Sequence, residues 1–276
     1  MSVVGLDERA LNGQLKDTAE LVAVAAAEVV REAWESMRTG GAVQVDTKSS
    51  DTDVVTAVDH QSERFIRARL AQLRPGDEFL GEESGGTAGA GVTWVVDPID
   101  GTVNFLYGYP WFAVSVAAQV DGVSVAGAVV EPVSGRRWTA ARGQGAWLDG
   151  RALAVSAPER LELTLVSTGF AYRAERRVRQ ARFAAELLSR VRDIRRPGAA
   201  SLELCSVAAG WTDAYVEHGL GRWDWAAGAL IASEAGAVVS LPGEDEALGV
   251  DATFAAAGSI AEPLRAALID SGAGSV

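Results

Sequence analysis

The feature that most restricts this chain is a pair of apolar, β-branched runs, FAVSVAAQV and VSVAGAVVE, separated only by Asp121-Gly122. Asp-Gly between two such runs is the strongest short-range hairpin signal, because a two-residue turn needs residues that tolerate positive φ. TWVVD (93 to 97) adds a run of buried-strand type, halted by Pro98. EFLGEE, RRWTAAR and GAWLDG read as further short strands. Residues 14 to 38 and about 57 to 73 read as amphipathic helices, the first stopped by Gly40-Gly41. The first half, 1–155, is therefore expected to be an α+β unit in which helices pack on an antiparallel sheet.

From about residue 156 the pattern alternates. LTLVSTGF reads as a strand, 174 to 191 and 201 to 210 as helices, DAYVE as a strand and 224 to 235 as a helix. AVVSL and TFAAAG follow as strands, then a last helix. Such alternation implies a layered α/β second half, 156–276. There is no internal repeat and no low-complexity tract.

Charge removes some functions. With 25 basic and 37 acidic side chains the net charge is −12, which argues against a nucleic-acid scaffold. The basic stretch from Arg173 to Arg196 is interleaved with Val178, Phe183, Leu187, Leu188 and Val191, and reads as an amphipathic helix with a solvated face. The single cysteine, Cys205, cannot form an internal disulfide and sits in an apolar stretch, as an inert buried thiol would. His60 and His218 have no Cys or His at metal spacing, so zinc is not expected. MSVVGLDERA does not read as a signal peptide, and the run Leu21 to Val30 is too short to span a bilayer. A soluble, cytoplasmic protein is expected.

The acids themselves are more informative. WVVDPIDGTVNF (94 to 105) delivers Asp97 to the carboxyl end of a strand, bends at Pro98 and presents Asp100 three residues later. Two carboxylates around one bend, with the Ile99 carbonyl between them, can share a hard cation such as Mg²⁺. Gly101 allows close approach to the backbone, and Thr102 can open a short helix whose free N–H groups favour a phosphate. Of Glu82 and Glu83 in GEES, only one can face Asp97, since strand side chains alternate. Asp224 in WDWAAGA precedes an alanine-rich helix, as an N-cap, as a ligand, or as both.

GEES, WVVDPIDGTVNF and WDWAAGALIASEAG resemble, in order and approximate spacing, the three signatures of the inositol monophosphatase family. The resemblance extends to VDTKSSDTDVVTAVD and to RRPGAASLELCSVAAGWTDAYVEHG, covering about residues 45 to 240. It implies the layered αβαβα sandwich shared with fructose-1,6-bisphosphatases, and a Mg²⁺-dependent phosphomonoesterase acting on inositol 1-phosphate. Glu82, Asp97 and the Ile99 carbonyl would hold one Mg²⁺ and Asp97, Asp100 and Asp224 a second, with roughly two to three ions in all. Thr102 and Asp59 match the pair that activates the attacking water, and Glu82 helps with a looser ion.

Gly101 and Thr102 would bind phosphate, Ala200 and Glu217 would meet polyol hydroxyls, and Lys48 matches a lysine near the metals. Lithium sensitivity and a homodimer are implied in the same way. Histidinol phosphate and fructose 1,6-bisphosphate are rival substrates on this fold, and a non-catalytic regulatory role is a further alternative. One departure stands out. Where relatives often carry Gly-Thr-Ala or Gly-Ser-Ala, this chain has Gly198-Ala199-Ala200-Ser201. The hydroxyl has moved two positions along a helix, so its partner must differ, which bears on fine substrate preference and not on catalysis.

Overall fold

The structure is a computed structural model and describes residues 3–47 and 54–276. Helix α1 (Val3–Arg38) is followed by a ribbon, β1 (Val45–Thr47) and β2 (Val54–Thr56), and by α2 (Ala57–Leu73). Next come β3 (Glu78–Gly81), β4 (Gly85–Gly86), β5 (Val92–Asp100) and the short helix α3 (Thr102–Tyr107). Strands β6 (Ala113–Val120), β7 (Val123–Val130), β8 (Arg137–Ala141), β9 (Gly145–Leu148) and β10 (Arg151–Ala152) complete the first sheet. The remainder runs β11 (Leu165–Thr168), α4 (Ala174–Leu188), β12 (Asp193–Arg195), α5 (Ala200–Ala208) and β13 (Ala214–His218). It ends with α6 (Arg222–Glu234), β14 (Ala237–Ser240), β15 (Ala252–Ala257) and α7 (Ala261–Asp270).

Asp121 and Gly122 take φ of 49° and 81°, the positive pair of a primed turn, and β6 and β7 pair antiparallel from Val120↔Val123. That hairpin is the middle of an eight-stranded sheet ordered β10-β9-β8-β7-β6-β5-β3-β4. The sheet is not wholly antiparallel, because β3 runs parallel to β5. The second sheet has five strands, β12-β11-β13-β15-β14, parallel at the β12 end and antiparallel at the other.

The two sheets share a helical layer. One face of the large sheet buries Trp94, Val96, Val114 and Val116 under Leu15, Val22 and Val30 of α1 and Ile66 of α2. Its other face buries Val95, Val129 and Trp138 against Leu202 and Cys205 of α5 and Ile231 of α6. The far side of that helix pair meets the small sheet through Leu204, Val207, Tyr215 and Ala255. Phe183 and Leu187 of α4 and Leu264 and Leu268 of α7 cover the outer face. The result is the αβαβα sandwich that the resemblance implied.

Two local expectations are corrected. Helix α1 begins well before residue 14: once its buried stripe nucleates the helix, each added residue gains a hydrogen bond, and Gln144 Nε2 ties down the Arg9 carbonyl at 2.7 Å. Pro98 does not end its strand. Strand β5 continues to Asp100 through a register shift between Asp97 and Asp100, and the missing proline N–H lies in that irregularity, where no ladder bond is lost.

Candidate active site

The bulge in β5 turns a strand end into a set of candidate ligands. Asp97 is buried, and its Oδ1 accepts from the Ile99 amide at 3.0 Å, which folds the carboxylate back over the bend. Asp100 closes the strand, and Gly101 follows with φ 90° as the N-cap of α3. A Cβ at Gly101 would lie 3.2–3.3 Å from Ala199 Cβ and from the carbonyls of Trp111 and Gly198, so both conformation and space demand glycine. Asn104 secures the same corner, donating to the Trp111 carbonyl at 2.7 Å and the Pro197 carbonyl at 2.9 Å.

Thr102 is positioned by helix α2. Its hydroxyl lies 3.0 Å from Asp59 Oδ1 and 3.0 Å from the Ile99 carbonyl oxygen, both acceptors, so its one proton points inward and its lone pairs remain for another donor. Asp59 is locked in turn: its Oδ2 accepts from the Thr56 amide at 2.9 Å and from the Thr56 hydroxyl, in a capping box that opens α2.

Asp100 joins the halves of the chain. Its carboxylate accepts from the amides of Ala200 (3.1 Å) and Ser201 (2.7 Å) and from the Ser201 hydroxyl (2.5 Å), so it caps helix α5. The hydroxyl that departs from the family pattern thus serves a candidate ligand. Asp224 is not the N-cap of α6 but lies one turn inside it; Gly221 takes the cap position, and Asp224 Oδ2 reaches back to its amide at 2.6 Å.

Asp97, Asp100 and Asp224 each bring a carboxylate oxygen within 4.8 Å of the others. Burial, followed by repulsion from Glu82, Asp100 and Asp224, pushes Asp97 well above the usual carboxylate range. Burial and then Glu82 and Asp100 push up Asp224. Asp100 is raised by burial against the opposing bonds from Ser201. Carboxylates packed this closely without a cation repel one another, and an all-oxygen donor set suits a hard divalent ion. The residues therefore fit a metal.

Glu82, Asp97, Ile99, Asp100, Gly101, Thr102, Ala200, Glu217 and Asp224 all line one cavity of about 420 Å³. Its opposite wall carries Glu217 on β13, whose Oε2 accepts from the Tyr215 hydroxyl at 2.6 Å. Burial raises the Glu217 carboxyl to about 7, against the pull of the Tyr215 hydroxyl and Arg196. Behind it, burial and the Glu217 charge raise Glu203 to about 8. Lys48 lies outside the described residues.

The sequence pattern of the inositol monophosphatase family matches residues 12–271. The chain belongs to the inositol monophosphatase family. It is 56% identical over 240 residues to an inositol-1-monophosphatase of Mycobacterium leprae, covering 83% of this chain and 82% of that protein. It is 44% identical over 195 residues to a protein of Pseudomonas aeruginosa named Nus factor SuhB, covering 68% and 72%. Among solved structures, Mycobacterium tuberculosis SuhB superposes with a TM-score of 0.80 at 43% identity, covering 95% of this chain and 98% of that one.

The inositol monophosphatase family comprises metal-dependent phosphatases, and the acid cluster stands where such chemistry needs it. Of GEES, it is Glu82 that faces the cavity, while the Glu83 amide is held from behind by Glu63. Sequence reasoning missed Glu63, Ser62 and Thr56, and it gave Asn104 and Tyr215 no role. The i, i+4 spacing of Asp59 and Glu63 on α2 was the signal available for the first. The two histidines stay outside the acid cluster: His218 Nε2 pairs with the Leu248 carbonyl at 2.8 Å. The arginines of α4 are mostly solvated, and Arg173, Arg176 and Arg196 reach the cavity rim. No described helix is long and apolar enough to cross a membrane.

Proposed function

We propose that this chain is a Mg²⁺-dependent phosphomonoesterase that hydrolyses inositol 1-phosphate to inositol and phosphate. The observation that carries this reading is the convergence of Asp97, Asp100 and Asp224 with the Thr102–Asp59 pair on one cavity. Glu82, Asp97 and the Ile99 carbonyl would hold one Mg²⁺, and Asp97, Asp100 and Asp224 a second. Bound there, roughly two to three such ions would lower the pKa of water and neutralise charge on the attacking and leaving oxygens.

The chain's own groups do the rest. Thr102 Oγ1 accepts a hydrogen bond from the attacking water, and Asp59 Oδ1 receives the proton that the hydroxyl passes inward. The amides of Gly101 and Thr102 orient the phosphate oxygens at the start of α3. Glu217 bonds polyol hydroxyls across the cavity from the backbone at Ala200, which lets a neutral ring sit against a partly protonated carboxyl. Halves 1–155 and 156–276 act as the two walls of this cleft. We place the enzyme in the cytoplasm as a homodimer, sensitive to lithium at the ion between Asp100 and Asp224.

The test is a panel of esters with purified protein in Mg²⁺ and in EDTA. Inositol 1-phosphate is expected to turn over fastest, and only with Mg²⁺. Histidinol phosphate, whose amine can pair with Glu217, and fructose 1,6-bisphosphate are the rivals; preference for either would overturn the substrate assignment. The complete acid set stands against a purely regulatory, non-catalytic chain.

A further inference from the structure

Helix α2 turns one polar face toward the site and uses it three times. Asp59 holds Thr102, the Ser62 hydroxyl donates to the Pro98 carbonyl at 3.2 Å, and Glu63 receives two amides from the strand end that bears Glu82. Spacing of three and four residues places all of them on the same side of the helix.

The Glu63 contacts are specific. Its Oε2 accepts from the Glu83 amide at 2.8 Å and its Oε1 from the Ser84 amide at 2.8 Å. Both oxygens are thus spent on the two peptides that follow Glu82, while the Glu82 amide donates to the Val96 carbonyl at 3.1 Å. The backbone of Glu82 is clamped before and after its Cα. Gly81 shows how closely: a Cβ there would come within 2.3 Å of Glu63 Oε2. Glu63 is only 3% exposed and does not line the cavity, so it acts through Glu82 and touches neither substrate nor ion.

We propose that Glu63 is a positioning residue for the metal centre, setting the Glu82 carboxylate by holding the two amides that follow it. The ladder of β3 with β5 ends at Gly81↔Val96, so the Glu63 bonds begin where the ladder stops. The proposal rests on the metal-dependent reading above. An isosteric Glu63→Gln presents an NH₂ group to one of the two amides, losing one bond and opposing two donors.

The experiment is a Mn²⁺ titration of the full chain by electron paramagnetic resonance, with Glu63→Gln and the shorter Glu63→Asp. Melting in EDTA is measured alongside. In both variants the ion held with Glu82 is expected to weaken about tenfold or more. The ion held by Asp97, Asp100 and Asp224 should keep its affinity within about twofold, a selectivity that general slackening would not produce. Equal weakening of both ions, unchanged binding in both variants, or failure of both to fold would each overturn the assignment. Wild-type protein that bound no Mn²⁺ would instead remove the metal reading on which it stands.

Discussion

The Ser201 hydroxyl donates to Asp100 Oδ2 at 2.5 Å, joining the first turn of α5 to the strand end that carries the candidate ligands. If Asp100 is a metal ligand, as proposed, the displaced hydroxyl bears on metal binding. Ser201→Ala keeps the amide bonds from Ala200 and Ser201 to Asp100 and removes the third. The Mg²⁺ concentration for half-maximal activity should rise about tenfold while the ranking of esters stays unchanged. Steady-state rates across Mg²⁺ and across esters check this; an altered ranking at an unaltered Mg²⁺ requirement would contradict it.

Thr102 and Asp59 should act as a unit. Thr102→Val removes the hydroxyl without changing shape, and Asp59→Asn weakens the proton acceptor behind it. Each should lower kcat about a hundredfold or more, with metal affinity little changed. The double variant should be hardly slower than either single one, since both break the same relay. Additive losses in a double-mutant cycle would separate their roles.

Metal removal should make stability strongly pH-dependent. Asp97 and Asp224 are raised by burial and then by repulsion from Glu82 and Asp100, Glu217 to about 7 and Glu203 to about 8. An acid raised in the folded state ionises first in the unfolded chain, near about pH 4 to 4.5. Between that value and the folded pKa the folded state binds more protons, so stability falls as pH rises. The melting temperature in EDTA should decline from about pH 5 to pH 8. Saturating Mg²⁺ should oppose the decline by binding only the folded, ionised cluster. Melting curves in EDTA that stay flat or rise over that range would refute the electrostatic account.

Gly101→Ala should affect both fold and rate. It places a side chain at φ 90° and 3.2–3.3 Å from Ala199 Cβ and two carbonyl oxygens. A loss of about 1–3 kcal/mol is expected in denaturant unfolding, together with lower kcat as α3 shifts away from the phosphate position. Retention of full stability would mean that the corner is softer than its packing implies.

Much of this protein is legible along the chain because it depends on short-range chemistry. Positive φ at Asp121-Gly122, alternation of buried strands and the Asp-Pro-Ile-Asp-Gly-Thr string are local patterns, and each appears where the residues alone place it. Two local expectations failed at the level of a few residues. Pro98 stays in its strand because the bulge needs no N–H there, and Asp224 lies inside α6 because Gly221 can take the cap.

Three acids at residues 97, 100 and 224 become one cluster only when α6 packs on the large sheet, which no spacing rule encodes. Only the packed structure shows that Ser201 bonds Asp100, that Glu63 receives the Glu83 and Ser84 amides, and that burial raises the acids. The sequence by itself determined the types of chemical group and their local conformations. Tertiary structure decided which of them meet, because hydrogen bonding and carboxylate repulsion act over a few ångströms of space, irrespective of the length of chain between partners.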